Sequence, residues 1–162
     1  MENIYHITID SPIGFLEISS DKQRILSVSF IANYNEPSTN QPNILKQAVK
    51  QLNEYFAGKR TIFDLPLSPK GTEFQQKVWE QVKMVSFGKT ASYLEIANKT
   101  GTRNHTRAVG LANAKNPIPV IIPCHRIVGV NGKLTGYAGG IEKKRWLLQH
   151  ELKYSKPSNL LF

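Results

Sequence analysis

The spacing of apolar residues in this 162-residue chain changes near residue 70, and this change limits the possible folds. Before it, short runs alternate apolar and polar residues, which is typical of half-buried β-strands. After it, apolar residues recur every three or four positions, as in amphipathic helices. Residues 66–71, with two prolines and a glycine, separate the two patterns. The sequence therefore predicts an α+β protein.

The first part, residues 1–68, predicts a small domain with an antiparallel sheet and one helix. Strands are expected at residues 4–9, 15–18, 26–30 and 62–65. The helix is expected over residues 44–56, ending near Gly58. Residues 1–70 carry seven Lys/Arg and seven Asp/Glu, so their net charge is zero.

The second part, residues 69–162, predicts a mostly helical, winged-helix-like domain. Helices are expected after Thr72 with Val78, Val82 and Val85 on one face, after Ser92, over residues 104–114 and over residues 142–152. The second and third are joined by residues 101–103, as in a helix-turn-helix. Asn131 and Gly132 predict a hairpin turn between residues 126–128 and 133–135.

Positive charge is concentrated in this second part. The chain has a net charge of +9, and residues 71–154 hold thirteen Lys/Arg against five Asp/Glu. A basic domain beside a neutral one indicates nucleic-acid binding, although a merely soluble basic surface is the alternative. Residues 104–114 are mostly small, so this helix can approach either a DNA groove or a packed neighbour closely. Arg107 is its longest-reaching side chain.

A single cysteine, Cys124, lies in the segment Pro123-Cys124-His125-Arg126 after an apolar run. Most lone cysteines are small buried hydrophobic residues. Here a potential base and a positive charge lie beside the thiol, which is what a cysteine nucleophile needs. One cysteine excludes an internal disulfide and every multi-cysteine zinc site.

Other functional classes find little support in the sequence. The four histidines show no metal-ligand spacing, and no cofactor is expected. Residues 1–10 do not resemble a signal peptide, and the longest apolar run is too short to span a membrane. A cytoplasmic protein without a membrane partner is expected.

Taken together, the motifs of residues 72–152 resemble the O6-alkylguanine-DNA alkyltransferases. The resemblance rests on six segments in the same order: residues 87–93 (FGKTASY), 107–110 (RAVG), 116–119 (NPIP), 123–126 (PCHR), 136–140 (GYAGG) and 146–151 (WLLQHE). The first 70 residues fit the variable amino-terminal domain of that family in pattern only.

The resemblance implies a suicide reaction that uses each molecule once. Cys124 would attack the alkyl group on O6 of guanine, with O4-alkylthymine as a second substrate, and keep it as a thioether. His125 would take the thiol proton through a water, and Glu151 would orient His125, as in a Ser-His-Asp triad. Asn116 would brace the turn that carries the cysteine. Tyr93 would hydrogen-bond the departing guanine.

The resemblance also implies that the protein, a monomer without an obligate protein partner, binds double-stranded DNA. The helix-turn-helix would enter the minor groove, and the damaged nucleotide would be flipped out of the stack. Arg107 would fill the gap left by that nucleotide. The remaining residues expected to contact DNA or substrate are Thr106, Ala108, Gly110, Asn113, Arg126, Tyr137, Ala138 and Gly139.

At two positions the chain departs from the family pattern. Leu152 replaces a glycine found in many relatives, which predicts that the last helix continues beyond Glu151. Ala138 replaces the serine of some relatives, which predicts a pocket open to bulkier alkyl groups. Two other classes share part of the evidence: a lesion-binding protein that transfers nothing, which in this family carries tryptophan at the cysteine position, and a cysteine hydrolase with a Cys-His-Glu triad.

Overall fold

The structure, a computed structural model, describes residues 3–101 and 103–155, and only the backbone of residue 103. The strands within these residues are β1 (Tyr5–Ser11), β2 (Gly14–Ser20), β3 (Ile25–Ile31), β4 (Ala91–Ser92) and β5 (Ile127–Val128). The α-helices are α1 (Asn43–Phe56), α2 (Glu73–Lys83), α3 (Tyr93–Lys99), α4 (Thr106–Ala114) and α5 (Ile141–Ser155). The predicted α+β class is confirmed.

The first three strands form an antiparallel meander in the order β1-β2-β3. A tight turn joins β1 to β2 at Gly14, whose φ of +100° favours glycine. Alternate residues of β2 point inward, so Leu16 and Ile18 are fully buried. Helix α1 packs against β1 and β2 and buries Leu45 and Leu52. The predicted sheet and helix are therefore present.

The strand expected at residues 62–65 is absent, and this prediction is wrong. The side-chain amide of Gln51 accepts from the Asp64 N–H at 2.9 Å and donates to the Asp64 carbonyl at 3.1 Å. One side chain of α1 thus satisfies backbone groups that a strand would pair with a neighbour. The extended chain meets the sheet only at Leu67, which forms an isolated parallel bridge to Ile25.

Helices α2 and α3 both begin at a capping box. Thr72 pairs reciprocally with Gln75, and Ser92 with Glu95. Each cap contributes about 1 kcal/mol, which matters for a helix as short as α3. Both predicted caps are confirmed, although α2 ends at Lys83, so that Val85 is buried just beyond the helix.

Helices α3 and α4 pack against each other as the predicted helix pair. The Trp79 indole N–H donates to the Ala112 carbonyl at 2.8 Å and ties α2 to α4. Helix α4 begins at Thr106, two residues later than expected, because His105 has a non-helical backbone (φ −120°, ψ 39°) after the 3-10 turn Arg103–His105. Thr102, in the predicted connection, lies outside the described residues.

The turn at Asn131 and Gly132 is present, but the hairpin is not. Both residues have positive φ, and the Gly129 N–H closes the turn on the Lys133 carbonyl at 2.8 Å. Strand β5 instead pairs in parallel with β4. The prediction of a second strand over residues 133–135 is wrong because the Thr135 carbonyl accepts a hydrogen bond from the Lys144 ammonium.

Helix α5 packs one side against the core and continues beyond Leu152 to Ser155, as predicted. Its inward side carries Lys144, Leu147 and Glu151. Buried apolar side chains from both parts of the chain form one continuous cluster. The division into residues 1–68 and 69–162 stays a prediction. None of the helices in the described part of the chain is both long and apolar enough to cross a membrane.

Candidate active site

Cys124 begins the 3-10 turn Cys124–Arg126 and is only 4% exposed. The loop before it is unusual, because Val120 has a φ of +72°, which a β-branched residue adopts only where its surroundings enforce it. The Cys124 N–H donates to the Ile122 carbonyl at 2.7 Å, and the Ile122 N–H donates to the Ile118 carbonyl at 2.9 Å. The cysteine is therefore carried on a tightly bonded backbone.

Two buried asparagines hold this loop from behind. Asn116 accepts from the Ile118 N–H and donates to the Ile122 carbonyl, both at 2.9 Å. Asn113 donates to the Cys124 carbonyl at 3.1 Å and is 2% exposed. Asn113 therefore lies on the inward side of α4, and its contact with DNA or substrate stays a prediction.

His125 and Glu151 form a fully buried pair. The His125 Nε2 lies 2.7 Å from Glu151 Oε2. An ionised carboxylate only accepts, so Nε2 carries the proton and Nδ1 keeps its lone pair. Nδ1 is buried and has no hydrogen-bond partner among the described residues. Burial lowers the pKa of His125. The hydrogen bond and the negative charge of Glu151 raise this pKa, but by less than burial lowers it, so the imidazole is neutral and able to accept a proton.

Glu151 is held in its ionised form. Burial alone would raise the pKa of its carboxyl, but the hydrogen bonds and charges of His125 and Arg126 outweigh burial and hold that pKa far below its usual range. Arg126 makes a bidentate contact, from Nε to Oε1 at 2.8 Å and from Nη2 to Oε2 at 2.9 Å.

Arg126 is therefore an internal ion-pair partner. It is 6% exposed, and its Nη1 donates to the Val85 carbonyl at 2.7 Å. Its guanidinium also lies 5.7 Å from the centre of the Phe87 ring. Its polar contacts are with Glu151 and the Val85 carbonyl, and its predicted contact with DNA or substrate stays a prediction.

The Cys124 thiol is protonated at neutral pH. Burial raises its pKa to about 11, while the hydrogen bond from Asn116 and the positive charge of Lys144 act in the opposite direction. Lys144 itself is fully buried, and its Nζ donates to the carbonyls of Ile127 at 2.6 Å and Thr135 at 2.7 Å. Burial lowers the pKa of Lys144 to about 8. The thiol therefore needs a base at the moment of reaction.

Tyr93 and Tyr137 lie near two other buried groups of the site, Lys144 and His125. The Tyr93 hydroxyl lies 3.2 Å from Thr135 Oγ1 and 3.3 Å from the Thr135 carbonyl, and the Lys144 ammonium lies 5.8 Å from its ring centre. The Tyr137 ring lies edge-on to His125 at 6.5 Å. Its hydroxyl is buried without a partner among the described residues, and burial, followed by the Cys124 charge, raises its pKa well above 10.

In the loop after Tyr137, Gly139 is closely packed against its neighbours, whereas Ala138 faces solvent. A Cβ on Gly139 would lie 2.8 Å from Lys143 Cδ and 3.0 Å from the Phe30 ring, so only glycine fits there without a shift. Ala138 is exposed. Phe30 of β3 also packs on Tyr137, with ring centres 5.6 Å apart. The amino-terminal sheet thus supports this loop from below.

The outer side of α4 is separate from the buried pair. Arg107 is exposed, and Thr106 and Ala108 are half-buried beside it. Gly110 faces the Tyr93 ring, where an added Cβ would lie 3.7 Å from the ring. The structure therefore groups Cys124, His125 and Glu151 inside the fold and leaves Arg107 on its surface. No cluster of side chains suited to a metal ion occurs among residues 3–101 and 103–155.

Two family models together match most of the chain. The model described as "6-O-methylguanine DNA methyltransferase, DNA binding domain" matches residues 73–153, and the one described as "6-O-methylguanine DNA methyltransferase, ribonuclease-like domain" matches residues 4–69. The chain belongs to the 6-O-methylguanine DNA methyltransferase family. The family resemblance read from the sequence is thereby confirmed.

Individual family members agree over almost the full length. The methylated-DNA–protein-cysteine methyltransferase of Mycobacterium tuberculosis is 47% identical over 97% of both chains. The constitutive enzyme of the same name from Bacillus subtilis is 44% identical over 91% of this chain and 94% of its own. The crystal structure of the M. tuberculosis O6-methylguanine methyltransferase matches with a TM-score of 0.86 over 98% of both chains at 44% identity. A crystal structure of M. tuberculosis OGT in complex with DNA matches with a TM-score of 0.84, covering 96% of each chain.

Two buried residues of this methyltransferase-family chain escaped the sequence analysis. Lys144 stands among Lys143 and Arg145, a run of charge that normally indicates a solvated face. Its spacing of three from Leu147 and seven from Glu151 was the available signal, because it places all three on one side of a helix. Tyr55 of α1 donates to Glu151 at 2.6 Å, and no local pattern indicates so distant a contact.

Proposed function

We propose that this protein repairs O6-alkylguanine in double-stranded DNA by moving the alkyl group to Cys124, once per molecule. The observation that carries the proposal is the buried His125–Glu151 pair, which directly follows a buried, protonated Cys124 and leaves His125 Nδ1 without a hydrogen-bond partner among the described residues. Membership of the methyltransferase family supports transfer of an alkyl group as the type of reaction. O4-alkylthymine is proposed as a second substrate with the same chemistry.

The proposed step balances in atoms and charge. His125 Nδ1 accepts the Cys124 proton, directly or through a water, and the sulfur attacks the alkyl carbon. The carbon–O6 bond breaks, its electrons remain on guanine, and the proton ends on guanine as it leaves. The nearby Lys144 ammonium stabilises the sulfur's transient negative charge. The product is a thioether, which thiol exchange does not reverse, so each molecule reacts once.

Around this step, the remaining roles are also proposals. Asn116 braces the cysteine loop, and its contacts to Ile118 and Ile122 support this role. Glu151 fixes the tautomer of His125. Tyr93 hydrogen-bonds the departing guanine, and Tyr137, Ala138 and Gly139 line the pocket that receives the flipped base.

We further propose that α4 enters the minor groove and that Arg107 fills the gap left by the flipped nucleotide. Its exposure at the start of α4, with Thr106, Ala108 and Gly110 as small neighbours, supports a close approach to DNA. The protein would act as a monomer, and no cofactor takes part in the proposed step. The solved complex of a relative with DNA supports the choice of partner.

Intact-mass spectrometry tests this proposal. The protein is mixed with excess duplex oligonucleotide that carries one O6-methylguanine, with Cys124→Ser in parallel. We expect one added methyl group on the wild type, none on the variant, and repair of only one equivalent of oligonucleotide. Repeated turnover would indicate a hydrolase instead, and tight binding without any mass change would indicate a lesion-binding protein.

A further inference from the structure

Tyr55 reaches the candidate active site from the amino-terminal part of the chain. It lies on α1, in the layer that covers the sheet, and its side chain is fully buried. Its hydroxyl donates to Glu151 Oε2 at 2.6 Å, which is the shortest hydrogen bond between that carboxylate and the described residues. The roles proposed so far do not use this tyrosine.

Tyr55 is fixed at both ends by α5. The His150 ring donates from Nε2 to the Tyr55 carbonyl at 2.7 Å, and the two rings lie 5.1 Å apart. The next residue of α5, Glu151, accepts from the Tyr55 hydroxyl. Phe63 and Phe87 pack on the Tyr55 ring, with centres 5.4 and 6.0 Å away. The hydrogen bonds with α5 thus fix the direction of the hydroxyl, and the aromatic rings fill the space around it.

The Tyr55 hydroxyl and His125 use the same carboxylate oxygen. Oε2 of Glu151 accepts from Tyr55, from His125 Nε2 at 2.7 Å and from Arg126 Nη2 at 2.9 Å. Oε1 accepts from Arg126 Nε and from the Gly88 N–H at 3.3 Å. Both oxygens of this carboxylate accept hydrogen bonds, and the donors come from three different segments of the chain. These bonds fix the orientation of the carboxylate, and the carboxylate in turn fixes the His125 ring.

We propose that Tyr55 is a positioning residue of alkyl transfer, which acts through Glu151 to hold His125 in its proton-accepting orientation and to limit its basicity. This inference rests on the proposed function. It gives the amino-terminal part of the chain an indirect role in the chemistry. Tyr55 does not touch the substrate, so its influence travels only through the carboxylate.

The sign of the effect on His125 follows from the shared oxygen. A donor on Oε2 draws negative charge away from His125, so removal of the tyrosine hydroxyl strengthens the attraction between Glu151 and an imidazolium. The other charges near His125 are Arg126 and Lys144, both of which disfavour the imidazolium and remain in place. The pKa of His125 is therefore expected to rise in Tyr55→Phe.

The test is the pH profile of single-turnover methyl transfer in full-length Tyr55→Phe. We expect the maximal rate to fall on the order of tenfold, as for loss of one hydrogen bond to a charged group. We also expect the acidic limb to move to higher pH by roughly half a unit, because a more basic His125 stays protonated further up the scale. Affinity for undamaged duplex DNA should not change.

A second variant separates positioning from packing. Phe63→Leu loosens the contact with the Tyr55 ring but leaves its hydroxyl intact. We expect this variant to lower the melting temperature while the acidic limb stays at its wild-type pH. The proposal is overturned if Tyr55→Phe keeps both the wild-type limb and the wild-type rate, or if Phe63→Leu shifts the limb equally. Failure of the wild type itself to transfer methyl would refute the proposed function instead.

Discussion

At the scale of single residues, the site combines a thiol that is hard to ionise with a lysine that is hard to keep charged. Burial raises the pKa of Cys124 to about 11 and lowers that of Lys144 to about 8. Each charge would be costly alone, and each favours the other. Because the thiol is protonated until a base accepts its proton, we expect it to react slowly with electrophiles other than the substrate.

This pairing predicts a pH-dependent effect of Lys144→Met. The variant removes the cation near Cys124, and we expect methyl transfer at pH 7 to slow on the order of tenfold. Wild-type Lys144 loses its proton as the pH rises through about 8, so the ratio of wild-type to variant rates should shrink above that pH. Quenched-flow measurements between pH 6.5 and 9.5 give this ratio.

Lys153→Met is the matched control for Lys144, since it removes an equal charge from the exposed side of the same helix. Its rate should equal that of the wild type at every pH. A constant ratio for Lys144→Met across the whole range would show that Lys144 acts only through its hydrogen bonds to the Ile127 and Thr135 carbonyls.

At the scale of elements, α4 has two sides with different tasks. Its inward side presents Asn113, which bonds the Cys124 carbonyl, and its outer side presents Arg107. The same nine residues therefore connect the surface proposed to meet DNA with the loop that carries the thiol. Small residues such as Gly110 allow this helix to lie against the Tyr93 ring.

Arg107→Ala should separate recognition in the duplex from chemistry at the cysteine. We expect transfer from O6-methylguanine in duplex DNA to slow on the order of a hundredfold, because the gap in the base stack loses its filler. Transfer from the free base O6-benzylguanine should change less than about twofold, since no stack needs to be opened. Both rates are measured by labelling of Cys124.

The control for Arg107 is Arg24→Ala, which removes one positive charge from the exposed turn between β2 and β3. It should leave the duplex rate nearly unchanged. If both variants slow the duplex reaction equally, general electrostatic attraction explains the loss and the gap-filling role fails. If Arg107→Ala slows transfer from duplex DNA and from the free base equally, the substitution has disturbed the pocket around Cys124 instead.

At the scale of the whole molecule, the sequence predicted the positions of the important segments better than the directions in which their side chains point. Alternation located β3, helical spacing located α1, and a capping residue located α3, because those signals are local. The burial of Arg126 and Asn113 could not be predicted, since both depend on how a turn and a helix are oriented in the core. The contact between Tyr55 and Glu151 joins residues 96 positions apart, which no periodicity encodes.

The buried ion cluster should also govern how the whole fold responds to acid. The pKa of Glu151 is depressed in the folded state, so its stabilisation is present above the unfolded value near 4.5 and is lost as the pH falls below it. The pKa of His125 is lowered by burial, so unfolding takes up a proton below about pH 6.5. Both groups therefore make the protein less stable as the pH falls.

Glu151→Gln tests this linkage by removing the carboxylate while keeping its shape. At pH 7 we expect a loss of roughly 3–5 kcal/mol, because Arg126 is left buried without a counter-charge. As the pH falls below about 4.5, the wild type progressively loses this advantage, so the difference between the two melting temperatures should become smaller. Glu80→Gln, at an exposed pair with Lys83, should follow the wild type throughout. Parallel wild-type and Glu151→Gln curves would mean that the carboxylate is already protonated at neutral pH, and the proposed orientation of His125 by an ionised Glu151 would then fail.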